Sequence, residues 1–107
     1  MPNDHKTYLR TLTTLYLRLP ETPGRLSRYD HRLARKLFDR QIPLTVIEAA
    51  FLLASIRRLT RPPNAPPLGL IRSLHYFLPV IEELLQNPLP DSYLPYLRRK
   101  LPPSPPH

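Results

Sequence analysis

Sixteen prolines against two glycines, Gly24 and Gly69, set the first limit on what this chain of 107 residues can fold into. Proline has no backbone donor for a sheet ladder, and tight strand-joining turns draw on Gly, Asn-Gly or Asp-Gly steps that this sequence lacks. Proline clusters between Leu-rich segments of helical period mark helix ends instead. The sequence therefore predicts an all-α fold, a compact bundle of four main helices with room for a short fifth. The expected organisation is a single helical domain over residues 1–101 and a disordered, Pro-rich tail over 102–107.

The length is that of one domain and is enough to bury most apolar surface without a metal or disulfide. No cysteine is present, which excludes a disulfide framework, thiol catalysis and thiolate zinc sites, and fits a cytoplasmic setting. The start, Met1-Pro-Asn-Asp-His-Lys6, does not read as a secretory signal, and the longest apolar run, Val46 to Ile56, is too short to span a bilayer. A soluble protein with no membrane partner is expected.

The first helix is expected from about Asp4 to Leu17, with Asn3 or Asp4 as N-cap and Tyr8, Leu12, Leu15, Tyr16 and Leu19 recurring every three or four residues. Pro20, Pro23 and Gly24 stop it. The second follows Ser27, where Ser27-x-x-Asp30 resembles a capping box, and turns Leu33, Ala34, Leu37 and Phe38 inward. The third is expected from Thr45, capped with Glu48, to about Leu59, and it is apolar nearly all round, as a central buried helix must be. After the stiff connector Pro62-Pro-Asn-Ala-Pro-Pro67, the stripe Leu70, Leu74, Phe77, Ile81 and Leu84 runs through Pro79. Either one kinked helix over about Leu70 to Leu85 or two shorter ones fits, and the unbroken stripe favours the kinked one. A short helix is allowed from Asp91 to about Lys100, with Tyr93, Leu94, Leu97 and Leu101 packing back.

The net charge of +8 and pI near 10.5 point to acidic partners. Arginine (13) far outnumbers lysine (3), and its planar fork suits bidentate phosphate contacts. Arg, Pro, Ala and Leu are also encoded by GC-rich codons, so genomic bias is a competing source of part of that excess. The charge is densest from Arg25 to Arg40, with six cations and two acids. There Arg28, Arg32, Arg35 and Asp39 follow one strip, with Lys36 and Arg40 beside it, opposite Leu33 and Leu37. Such a face can meet successive phosphates, and Tyr29 can stack on a base or sugar. The competing explanations are a solvated face with local pairs from Asp39 to Arg35 and Lys36, or an acidic protein partner. A second cluster, Arg57, Arg58 and Arg61, would extend the strip if the second and third helices were antiparallel neighbours. A third, Arg98, Arg99 and Lys100, would form a movable electrostatic arm. All eleven of these cations are candidate nucleic-acid-binding residues.

Catalysis has little to stand on. His5, His31, His75 and His107 lack metal-ligand spacing, and no H-E-x-x-H, P-loop or nucleophile elbow occurs. His75, beside Tyr76, reads as a partly buried packing residue. Glu82 and Glu83 point in different directions on a helix, which suits a solvated end better than a carboxylate dyad. Ser27, Ser55, Ser73, Ser92 and Ser104 have no adjacent base. The expectation is a non-enzymatic protein with no catalytic residue, metal, cofactor or small-molecule substrate. Its partner is nucleic acid, DNA before RNA. The alternative is a protein-interaction adaptor using its apolar and Pro-rich surfaces.

The order of a basic helix, Gln41-Ile-Pro, the apolar helix Leu44-Thr-Val-Ile-Glu-Ala-Ala-Phe-Leu-Leu-Ala-Ser55 and the segment Ile71-Arg-Ser-Leu-His-Tyr-Phe-Leu-Pro-Val-Ile-Glu-Glu-Leu84 resembles the DnaD-like helical domain of bacterial and phage primosome proteins. It is also similar to small helical proteins that accompany replication genes of plasmids and mobile elements. The resemblance covers about Tyr16 to Leu85. It implies a non-enzymatic, replication-associated bacterial module that binds DNA and a replication or other protein partner. DnaD-like domains carry a Tyr and a Trp in their closing helix; Tyr76 takes the place of the Tyr, and this chain has no Trp.

Overall fold

Capping chemistry decides where the helices begin. In the computed structural model, which describes residues 4–101, the Asp4 carboxylate accepts the Thr7 amide at 2.8 Å and opens α1, His5–Leu17. Ser27 and Asp30 form a reciprocal capping box: the Ser27 hydroxyl accepts from the Asp30 amide (3.1 Å), and the Asp30 carboxylate accepts from the Ser27 amide (3.0 Å). With two orphan donors satisfied, α2 starts at once and spans Arg28–Asp39.

The end of α2 is equally specific. Gln41 takes a left-handed conformation (φ 59°), its amide donates to Phe38, and the Ile42 amide donates to Leu37. This is a Schellman motif with glutamine where glycine is usual, and Leu37 and Ile42 at its two ends are both buried. The Tyr8 hydroxyl donates to the Ile42 carbonyl at 2.8 Å, tying α1 to the same turn. Burial pushes the Tyr8 phenol up to about 12, so it remains a donor at neutral pH.

The helix α3 spans Leu44–Leu59 and begins one residue earlier than expected. Pro43 stands at its N-cap without a side-chain hydrogen bond, so the expected box of Thr45 and Glu48 does not form. The reason is that the preceding turn already sets the entry, with Pro43 (φ −61°, ψ 143°) delivering its carbonyl to the first turn.

The expected kinked fourth helix is also corrected. Residues 70–73 are not helical. A 3-10 turn, Leu74–Phe77, precedes α4, Leu78–Gln86. Pro79 falls in the first turn of α4, where no intrahelical donor is needed, so it begins a helix rather than bending one. Leu70 is accordingly exposed, and Ile71 is buried in its stead, its amide donating to the Glu21 carbonyl. The last helix, α5, spans Tyr93–Lys100, starting two residues later than expected. The expected tail, 102–107, lies outside the described residues.

Among the described residues all regular structure is helical. The central element is α3, which packs on α1, α4, α5 and the 3-10 turn, while α2 packs on α1 and that turn. Tyr16 of α1, Phe51 of α3 and Phe77 of the turn form an aromatic knot with ring centroids 4.9 to 6.0 Å apart, all fully buried. Edge-to-face and tilted rings at this spacing add to the burial of their large apolar area. Among the described residues no helix is long and apolar enough to cross a membrane.

Candidate nucleic-acid interface

The inward face of α2 is fixed by Leu33, Ala34 and Leu37, which are buried against α1 and the 3-10 turn. At 3.6 residues per turn that commitment sends Arg28, Tyr29, Arg32, Arg35, Lys36 and Asp39 outward, and all six are exposed. The Arg32 guanidinium lies over the Tyr29 ring, 5.7 Å from its centroid, and Tyr29 is the most exposed tyrosine at 67%. Arg35 pairs with Asp39 at 3.3 Å, but both side chains are more than half exposed. A pair so solvated is held weakly and exchanges readily for another anion. Arg28, Arg32 and Lys36 have no carboxylate partner among the described residues.

Four of the other candidate arginines are committed within the fold. Arg40, at the end of α2, forks onto Glu82 of α4 (3.1 and 2.8 Å), and Arg57 of α3 forks onto Glu83 (2.9 and 2.8 Å). Two adjacent carboxylates on α4 thus reach two different neighbouring helices. The hydrogen bonds from these arginines hold both carboxyls below the usual carboxylate range. Arg98 of α5 binds Glu48 of α3 through two contacts of 2.7 Å. It clamps α5 to the bundle, so this segment is not the movable arm the sequence suggested.

Arg58 departs furthest from its expected role. Its side chain is 6% exposed, and it donates to Glu21 (2.8 Å), the Tyr76 hydroxyl (3.2 Å) and the Gly69 carbonyl (2.6 Å), with the Tyr76 ring beneath it. One guanidinium joins the end of α3 to the loop after α1, the proline connector and the 3-10 turn. A phosphate would have to displace all three partners. Because α2 does not run beside α3, Arg57, Arg58 and Arg61 do not extend the α2 strip. Arg99 and Lys100 are exposed on α5, which packs on α3.

Sequence reasoning missed the acids. Glu21, Glu48, Glu82 and Glu83 hold arginines 26 to 50 residues away, and no local spacing signals such pairs. Asp30 has a second role: buried at 1% exposure, it also accepts the Leu74 amide at 2.9 Å and so caps the 3-10 turn. His75, expected to be partly buried, is exposed, whereas His5 packs edge-on against Phe38. Among the described residues no group of three His, Cys, Asp or Glu side chains could hold a metal.

Among the described residues the geometry is that of a small all-helical fold in which α2 turns a cationic face to solvent. Comparison with protein families, curated proteins and solved structures finds no match for the chain.

Proposed function

We propose that the protein is a non-enzymatic nucleic-acid-binding module that lays the outer face of α2 along a phosphate backbone, DNA before RNA. The observation that carries this is the exposed set of Arg28, Arg32, Arg35 and Lys36 around Tyr29, opposed only by the weakly held Asp39. Guanidinium forks on a rigid helix supply sequence-independent affinity, and the tyrosine adds a stacking surface. Arg99, Lys100 and Arg61 add long-range attraction, whereas Arg40, Arg57, Arg58 and Arg98 serve the fold. The resemblance to DnaD-like domains supports a place in bacterial or mobile-element replication and a cytoplasmic location. It also leaves room for a replication protein as a second partner.

The test is affinity for random-sequence duplex DNA as a function of salt. Four phosphate contacts give a log–log slope of about −3.6, near −0.9 per contact. Arg32→Gln with Arg35→Gln should leave the thermal midpoint nearly unchanged, weaken binding of all sequences alike and reduce the slope by roughly 2. Unchanged affinity and slope in the folded double variant remove α2 from the binding surface, and absence of saturable binding at low salt refutes the function.

A further inference from the structure

The α5 helix is anchored on one side only. Leu97 is buried, Leu94 and Leu101 pack half-buried against the core, and Arg98 is forked onto Glu48. Those contacts leave the flank carrying Tyr93, Tyr96 and Lys100, spaced three and seven residues apart, facing outward with Arg99 beside it. The two tyrosine rings touch, with centroids 5.1 Å apart and planes inclined by 42°, yet remain 39% and 42% exposed. Neither hydroxyl makes a hydrogen bond among the described residues. Two large rings held in contact at the surface offer flat apolar faces to an occupant.

Charge selects the occupant. The sequence of α5, Tyr-Leu-Pro-Tyr-Leu-Arg-Arg-Lys, contains no acid, and with Arg98 tied to Glu48 the two cations left outward are Arg99 and Lys100. Aromatic rings flanked by unpaired cations suit a chain that alternates flat bases with phosphates, and only unpaired bases expose their faces. We infer that the Tyr93–Tyr96 flank of α5 is a stacking platform for the unpaired bases of a single-stranded nucleic acid, with Arg99 and Lys100 on the adjoining phosphates. This inference rests on the nucleic-acid reading above and adds a second surface, since α2 packs on α1 and the 3-10 turn while α5 packs on α3.

The experiment titrates the full chain with three probes: fluorescein-labelled oligo(dT), an abasic strand of equal length and a random duplex. Base stacking makes oligo(dT) bind about 10-fold or more tighter than the abasic strand, which carries the same phosphates. Tyr93→Ala and Tyr96→Ala should each weaken oligo(dT) about 10-fold and leave duplex binding unchanged, whereas Tyr93→Phe and Tyr96→Phe retain affinity. Equal affinity of the unaltered protein for oligo(dT) and the abasic strand overturns the inference without any variant, and it leaves the tyrosine pair as a protein-docking surface. Retained duplex binding in that case preserves the α2 reading, while failure of all three probes at low salt removes both.

Discussion

Replacing Asp30 tests the joint on which α2 stands. Its carboxylate accepts the Ser27 and Leu74 amides at 3.0 and 2.9 Å from a site with 1% exposure. Asp30→Ala leaves the buried Leu74 amide without a partner, at about 1–3 kcal/mol, and costs less at the part-buried Ser27 amide, which water can reach. Relief of the carboxylate's own desolvation offsets part of that, for a net loss of about 1.5–3 kcal/mol out of the roughly 5–15 kcal/mol expected of a domain this size. Asp30→Asn keeps one acceptor but turns an NH2 toward the other amide, so it should lose about half as much. Ser27→Ala removes the hydroxyl cap alone and should cost about 1 kcal/mol. The assay is urea unfolding followed by circular dichroism, since the chain has no tryptophan. At a slope of about 1–1.5 kcal/mol per molar urea, the Asp30→Ala midpoint falls by more than about 1 M with the slope unchanged. A loss below about 0.5 kcal/mol, or an order in which Ser27→Ala exceeds Asp30→Ala, refutes the idea that one carboxylate joins α2 to the 3-10 turn.

Three further outcomes are expected. Glu82 and Glu83 have folded pKa values depressed below 4.5 by Arg40 and Arg57, so their stabilisation is present above about pH 4.5 and is lost as pH falls through the folded values; Glu82→Gln with Glu83→Gln should flatten the fall in urea midpoint over that window, and an unchanged profile would count against the two clamps. Gln41→Gly should raise the thermal midpoint by a few degrees, because glycine relieves the positive φ at a gain of up to about 1 kcal/mol, and a lower midpoint would show that the glutamine side chain matters more than its backbone. Pro79→Ala should keep a cooperative transition and shift stability by less than about 1 kcal/mol, since position two of α4 needs no donor; loss of folding would mean the proline is required to start that helix.

Local signals read well in this chain because the helices begin and end with local chemistry. The Ser27–Asp30 box, the Asp4 cap, the proline stops and the central place of the apolar α3 were all legible. Failure came where a local pattern competed with a contact from far away. Thr45-x-x-Glu48 matches a capping box, yet Glu48 is held by Arg98, 50 residues on, and Pro43 had already begun the helix. Leu70 keeps the period of the stripe, but the connector arrives without helix and hydrogen-bonds through Ile71 to Glu21, and Ile71 lies inside. For the candidate site, the outward face of α2 followed directly from its apolar stripe. Which arginines are spent on the fold did not, since that depends on carboxylates brought together only by tertiary packing.

The acids have a consequence for how the protein behaves in solution. Of eight acidic side chains, Asp4 and Asp30 cap helices, and Glu21, Asp39, Glu48, Glu82 and Glu83 each hold an arginine. Asp91 alone has no side-chain partner among the described residues. With so little anionic relief on its own surface, the folded chain must draw its counterions from the medium, such as chloride in buffer. Added salt should raise its thermal midpoint by screening self-repulsion among the remaining cations, the reverse of what is expected where surface ion pairs dominate stability.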